Sequence, residues 1–305
     1  MIISCLFPVF SLIALGVVLK HTGFTDETFL ETADRLIYYI FFPTMLFWKI
    51  GDSRTDLLYN WGLCKAALSA VLITFIVSTL LLKLLRIRAH QAGSYSQSCY
   101  RFNTYIGVAV IMNAMGEAGV GHFGILIGFV IPLINVLSVS ILIWFSAGDI
   151  SSRQRLLHLL KSIVSNPLII GCAAGILYSR LGIGFPLFLD NAFRLMSMAT
   201  LPLALLSIGG ALTLKSLAGN LPASLAAAIF KLIFLPVTGW YLLGHFGVDG
   251  DQFRVGMLFF ALPTSTAIYV LSSQFGSDTR LASSTIVLST GLSFFSLSFV
   301  LANFF

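Results

Sequence analysis

Hydrophobic positions in this chain run without the two-residue alternation of strands and without the polar stripe of a surface helix. Apolar stretches of membrane-spanning length follow one another almost end to end, separated by short polar or basic breaks. They cover approximately residues 2–19, 34–51, 61–85, 100–116, 122–146, 162–180, 191–213, 221–244, 255–275 and 281–304. The pattern predicts ten transmembrane helices. The fourth is the weakest, being bounded or interrupted by Asn103, Thr104, Asn113 and three glycines.

The chain also repeats itself. Pro8–Gly51 laid on Pro167–Gly210 without a gap gives 12 identities in 44 positions. They include Pro8/Pro167, Gly16/Gly175, Gly23/Gly182, Arg35/Arg194, Pro43/Pro202 and Gly51/Gly210. Paired Gly, Pro and Arg weigh more than paired apolar residues, because each sets backbone shape or charge. Five spans then fall in each copy, 1–150 and 151–305. An odd number makes the second copy enter the membrane from the other side, the inverted-repeat plan of secondary transporters.

Composition agrees. The 305 residues are 57% hydrophobic and 10% charged, against about a quarter charged in soluble domains. The apolar start, residues 2–19, lacks a basic leading segment and reads as the first span rather than a signal peptide. Cys5, Cys64, Cys99 and Cys172 show neither metal nor disulfide spacing and read as packing residues. The five histidines are assigned to loops, also without metal spacing, and no cofactor is implied. The net charge of +6 reports topology and an anionic inner leaflet, not nucleic acid.

Loops that follow odd-numbered spans hold eleven Lys and Arg, including Lys83, Arg86, Arg88 and Arg101, and Arg153, Arg155 and Lys161. Loops after even-numbered spans hold six: Lys49, Arg54, Lys65, Arg180, Arg194 and Arg254. The positive-inside rule therefore puts both termini outside the cytoplasm. Paired intramembrane aspartates, a Ser/His pair and a His-Glu-x-x-His run are all absent, which argues against an intramembrane enzyme.

Spans 4 and 9 occupy matching places in the two copies, and both make poor helices. At an offset of 160, Asn103 falls on Pro263, Thr104 on Thr264, Val110 on Val270 and Gly116 on Gly276. Pro263 removes a backbone donor, and Thr264, Ser265 and Thr266 can satisfy the carbonyls this frees. Asn103 and Gly107 give span 4 a similar permissiveness. Irregular backbone at membrane depth is tolerated where it is buried in protein or lines a wet cavity. Two such breaks predict a crossover near the midplane, where half-helix N-termini attract an anion and unwound carbonyls hold a cation.

Lys231 lies in the middle of span 8, where a lysine costs about 3 kcal/mol on insertion scales. Two readings stand side by side. It attracts an anionic substrate or carries a proton; or it caps broken-helix carbonyls or pairs with a carboxylate such as Glu117. Asn135 in span 5 either lines the site or bonds a neighbouring helix. Glu117 itself reads as a solvated residue at the end of span 4, and Pro43 and Pro202 as kinks.

Several segments carry a family resemblance. They are Leu15-Gly-Val-Val-Leu-Lys-His-Thr-Gly23, Tyr39-Ile-Phe-Phe-Pro43, Asn103-Thr-Tyr-Ile-Gly107 and Met115-Gly-Glu-Ala-Gly119 in the first half. The second half adds Asn166-Pro-Leu-Ile-Ile-Gly171, Ala261-Leu-Pro263 and Phe275-Gly-Ser-Asp278. In order and spacing the chain resembles the auxin efflux carrier family, especially its short prokaryotic members, along nearly all of its length. Where members often have Gly-Leu-Pro after the span 4 asparagine, this chain reads Gly107-Val-Ala. The long cytoplasmic loop of the large plant carriers is absent.

The resemblance implies an all-α membrane fold of ten helices in two inverted five-helix repeats, with broken helices 4 and 9 crossing at the substrate site. It also implies a scaffold part, a moving transport part, and organic anions as cargo. Carried over by position, Asn103, Thr104 and Pro263 to Thr266 form that site, with Gly107, Lys231 and Asn135 as further candidates. The expected function is a secondary transporter, an efflux carrier, that moves a small organic anion such as a carboxylate across the plasma membrane by alternating access, with a proton or a sodium ion as candidate coupling partner. Two alternatives are a sodium-coupled importer like the bile acid transporters and a non-transporting membrane sensor. A homodimer is compatible with the resemblance, and no interface is legible in the chain.

Overall fold

Cap residues and prolines mark where the helices begin and end. A computed structural model describes residues 2–52, 60–145, 164–212 and 220–305. Arg54, Arg153, Arg155, Lys161 and Lys215 of the predicted loop charges lie outside the described residues. The chain forms α1 (Ile2–His21), α2 (Glu27–Leu36), a π turn (Ile37–Phe41), α3 (Phe42–Asp52), α4 (Trp61–Leu80) and α5 (Ala89–Tyr100). These are followed by α6 (Thr104–Phe145), α7 (Pro167–Arg180), α8 (Leu187–Ala211) and α9 (Leu221–Ile229). A second π turn (Phe230–Phe234), α10 (Leu235–His245), α11 (Gly250–Ala261), α12 (Ala267–Gln274) and α13 (Thr279–Phe304) complete the described elements.

Asp26, Asn166 and Asp278 start α2, α7 and α13 by accepting backbone N–H groups on their side-chain oxygens. Each π turn stops two residues before a proline, Pro43 or Pro236. A proline cannot donate to the turn before it, and widening that turn to i→i+5 bonding relieves the mismatch.

Among the described residues, six helical stretches are long and apolar enough to cross a membrane: α1, α4, α6, α8, the run Leu221–His245, and α13. The chain is a multi-pass membrane protein. The fourth predicted span is misplaced at its start. Its first half is α5, which begins at Ala89, and its second half is the part of α6 before Gly116, whose non-helical backbone separates it from the helix of the fifth span. Gly116 has φ 69° and its counterpart Gly276 has φ 67°, a left-handed conformation that side chains disfavour.

Contacts sort the helices into two compact units, each drawing on both halves of the chain. One holds α1, α2, α3, α6 as far as Phe129, α7 and α8. In it, α1 packs on α8 and α3 on α7 through glycines that let backbones touch. A Cβ on Gly16 would stand 2.1 Å from the Leu206 carbonyl oxygen, and one on Gly175 would stand 3.0 Å from that of Phe47. Gly175 is Gly16 displaced by the repeat offset, and Leu206 is Phe47 displaced by the same offset. One contact thus occurs twice.

Polar links brace this unit. The Trp48 indole donates to Asp190 at 2.8 Å, and Ser207 donates to Asp34 at 2.6 Å. Lys49, assigned above to a loop, is instead a buried residue of α3, under the Trp48 ring and paired with Glu117. Glu117 is therefore the partner of Lys49, not of Lys231. His122 likewise sits within α6, not in a loop, and its Nδ1 lies 2.8 Å from Asn60 Oδ1.

The other unit holds α4, α5, the remainder of α6 and α9 to α13. Its centre is α5, whose last nine residues, Ala92 to Tyr100, are all buried although Ser94, Ser96, Gln97 and Ser98 are polar. Ser94 meets Ser272 at 2.8 Å and Ser277 at 2.9 Å, and Gln91 donates to Asp278 at 3.0 Å. These bonds tie α5 to the end of α12 and to the start of α13, and give Gln91 and Ser94 their partners inside the protein.

Candidate functional site

Two helices of the second unit stop in mid-course and lie against each other where they stop. Helix α5 ends at Tyr100 and α11 at Ala261, each after 12 residues. Such a helix rises about 18 Å, a little over half of a hydrocarbon core of about 30 Å. Beyond them the backbone is extended, with Arg101 at φ −72°, ψ 133° and Leu262 at φ −64°, ψ 148°.

The extended pieces pair. Phe102 and Thr264 form an antiparallel bridge, and the Asn103 N–H donates to the Pro263 carbonyl at 2.9 Å. Asn103 and Pro263 are the residues that the offset of 160 lays on one another, and here they meet. The Phe102 and Phe259 rings pack edge to face beside the bridge, with centroids 4.6 Å apart.

Breaking a helix frees carbonyls, and three at the end of α11 find partners. The Leu262 N–H donates to the carbonyl of Phe259 at 3.4 Å, the Lys231 ammonium to that of Phe260 at 3.1 Å, and the Ser296 hydroxyl to that of Ala261 at 2.8 Å. Thr264 is held twice: its N–H donates to the Ser289 hydroxyl at 3.1 Å, and its own hydroxyl to the Ser98 carbonyl at 2.9 Å. Ser265 accepts the Ala267 N–H at 3.3 Å and starts α12.

The predicted site residues therefore separate. Asn103, Gly107, Pro263, Thr264, Asn135 and Lys231 are buried, with Thr264 and Lys231 wholly so. Thr104, Ser265 and Thr266 are half-buried hydroxyl residues at the break. Asn103, Thr104, Pro263 and Thr264 come together at the bridge, and Gly107 is a turn further along α6. Asn135 accepts from Arg101 Nη2 at 3.1 Å, whereas Lys231 reaches α11 from the second π turn and caps it.

Sequence reasoning misses Arg101. It counts among the loop charges, yet it is the first residue of the break and half-buried. The signal available is its place two residues before Asn103, in a stretch already marked as a broken span.

Replacing Thr264 by Val keeps the shape and removes the hydroxyl, leaving the Ser98 carbonyl without that donor. A buried acceptor left unsatisfied costs about 1–3 kcal/mol. Chemical denaturation in detergent should register that loss for Thr264→Val, and little for Ser265→Ala at the half-buried neighbour. Equal midpoints for the two would remove the Thr264 bond from the account of the break.

Two short helices that end against each other at an antiparallel bridge, inside an apolar multi-pass chain, follow a plan that recurs in membrane transporters. Residues 150–301 match the family described as "Membrane transport protein". The chain belongs to that family, the auxin efflux carrier family. It is 24% identical over 289 residues to a protein of Methanocaldococcus jannaschii named "Uncharacterized transporter", covering 92% of each chain. It is also 24% identical over 297 residues to a Rhizobium meliloti protein named "Putative malonate transporter", covering 94% of this chain and 90% of that one. Transport, not catalysis of a covalent reaction, is the activity of the family.

Proposed function

We propose that this chain is a secondary transporter that carries a small organic anion, a short carboxylate, outward across the plasma membrane by alternating access. The observation that carries this reading is the antiparallel bridge between the broken helices, where Asn103 donates to its own counterpart Pro263 at 2.9 Å. A two-fold axis relating inverted repeats brings equivalent residues together in this way, and the doubled glycine contact at Gly16 and Gly175 supports the same symmetry. On this plan residues 1–150 and 151–305 are the two repeats, and both termini lie outside the cytoplasm.

In this reading the buried residues Asn103, Pro263 and Thr264 hold the break open, and Gly107 keeps the next turn of α6 free of a side chain. The half-buried hydroxyls of Thr104, Ser265 and Thr266 face the cargo. The N-terminus of α12 adds backbone N–H groups and a positive dipole end, both of which favour an anion. The relative named for malonate supports a carboxylate as cargo.

Reconstituted into liposomes, the protein is expected to move a radiolabelled short carboxylate under one of three imposed gradients: proton, sodium or voltage. Asn103→Ala should lose at least about an order of magnitude of that flux, because the substitution removes the buried amide beside the bridge. A sodium requirement would favour the importer alternative. Absence of flux for every carboxylate, with folded protein, would rule out the anion transporter and leave the sensor.

A further inference from the structure

A long apolar groove lies on the second unit, between α11, α13 and the stretch from the second π turn through α10. Its main part has a volume of about 460 Å³ and a smaller part about 330 Å³, and Trp240 lines both. Helical spacing makes it. Phe253, Met257 and Ala261 recur every four residues along α11, and Ser296, Val300 and Phe304 do so along α13. Val237, Trp240 and Gly244 form the matching stripe on α10. Met257, Ala261 and Val300 are a buried floor, whereas Ile233, Val237, Trp240 and Phe299 are exposed walls.

We propose that this groove is a lipid site: it takes one acyl chain of a phospholipid with a primary-amine headgroup, whose phosphate rests on Arg254 and whose ammonium rests on Asp251. The occupant comes from the bilayer and is distinct from the cargo.

The walls belong to two of the membrane-crossing stretches, Leu221–His245 and α13, so the groove opens to hydrocarbon. Left empty, it would forfeit the van der Waals contacts of its lining. Water does not suit it. Among the described residues its main part carries one hydroxyl, Ser296, which already donates to the Ala261 carbonyl at 2.8 Å. The length suits a tail. From Phe253 to Ala261 the groove follows eight residues of α11, or about 12 Å of helical rise. One leaflet supplies about 15 Å of hydrocarbon. A chain that enters beside the start of α11 therefore ends against Ala261 and Ser296, the pair whose bond caps the break.

Lipid tails are as apolar as the groove, so the headgroup must supply the selection. Arg254 stands where it can. Its Nε donates to the Phe304 carbonyl at 3.1 Å, its Nη1 pairs with Asp251 at 3.3 Å, and its guanidinium lies 5.4 Å from the centre of the Phe305 ring. Phe304 is a wall of the groove, and its ring packs on Phe253 with centroids 5.5 Å apart. Among the described residues these bonds use two of the five N–H donors of the guanidinium. The Arg254 side chain is 43% exposed, which leaves it open to a phosphate, and that of Asp251 is 58% exposed beside it. Opposite charges side by side complement a zwitterionic headgroup better than a purely anionic one. Exposed Trp240 and Tyr241 line the same end, as aromatic residues do at headgroup level.

The test is native mass spectrometry of the purified protein with an equimolar mixture of phosphatidylethanolamine, phosphatidylcholine and phosphatidylglycerol of identical chains. The wild type should retain phosphatidylethanolamine over the other two, because the methylated ammonium of phosphatidylcholine has no N–H for Asp251. Arg254→Gln should lower that retention about tenfold, the value of a hydrogen bond to a charged group. Val237→Trp, at an exposed wall, should fold, fill the groove and lower retention of all three. Phosphatidylethanolamine with brominated chains should quench the tryptophan fluorescence of the wild type more than that of Trp240→Phe.

Equal retention of the three lipids, or a preference for phosphatidylglycerol, would overturn the roles of Arg254 and Asp251. Unchanged retention in Val237→Trp would overturn the groove as the site. A wild-type dimer that Val237→Trp dissociates would overturn it too, by making this face an interface between copies. Should Arg254→Gln fail to fold, the comparison of headgroups on the wild type decides by itself.

Discussion

Gly209→Ala is expected to be among the most damaging single-methyl changes in this protein. A Cβ at Gly209 would stand 2.0 Å from the Ile13 carbonyl oxygen, and one at Gly16 would stand 2.1 Å from that of Leu206. In both cases the obstacle is backbone, which cannot turn aside like the end of a side chain. Helices α1 and α8 must separate along the whole seam, giving up the close packing that drives helix association in lipid. Overpacking a well-filled seam costs typically about 1–3 kcal/mol, and a collision with backbone belongs at or above the top of that range. Gly244→Ala is the control. Gly244 lies in α10, where an added Cβ would have nothing within 4 Å, so alanine there should be neutral or gain up to about 1 kcal/mol of helix propensity. Melting temperatures in detergent distinguish the two. A Gly209→Ala protein that melts like the wild type would mean that α1 and α8 are further apart than described.

Lys231→Ala is the second large effect. It removes the donor to the Phe260 carbonyl and leaves a cavity where a fully buried lysine stood. The lost bond to a charged donor and the cavity together come to roughly 3 kcal/mol or more. Lys231→Met fills most of the same volume and also removes the unfavourable burial of a charge, so its penalty should be smaller, about 1 kcal/mol. The pair also tests function. With the ammonium acting as a helix cap, the Met variant should fold and keep most of its flux. Loss of flux in a stably folded Met variant, restored in Lys231→Arg, would return the charge to the transport cycle.

Much of the architecture can be read from hydropathy and from two residue types. Long apolar runs place the spans. Pro263 places the break after α11 to within two residues, because a missing N–H and a ring clash act locally whatever the rest of the chain does. Glycines at matching places in the two halves stand out for a related reason. A left-handed turn such as that at Gly116 or Gly276, or a backbone contact such as that at Gly16, constrains the residue at the spot where it occurs.

The helix before the other break escapes hydropathy for an equally physical reason. Ser94, Ser96, Gln97 and Ser98 lower the hydropathy of α5, so the segment looks like loop. It is a buried helix because α12 and the turn before α13 bring hydroxyls and a carboxylate to it from positions far away in the chain. The same blindness puts Arg101 and Lys49 in loops and leaves Lys231 with two readings. Local sequence reports how a side chain fares against an average solvent. Whether a charge in an apolar stretch is capping a carbonyl, paired with a carboxylate or bonded to a side-chain amide depends on partners that only folding brings within hydrogen-bonding reach. For Lys231 that partner is Phe260, for Lys49 it is Glu117, and for Arg101 it is Asn135.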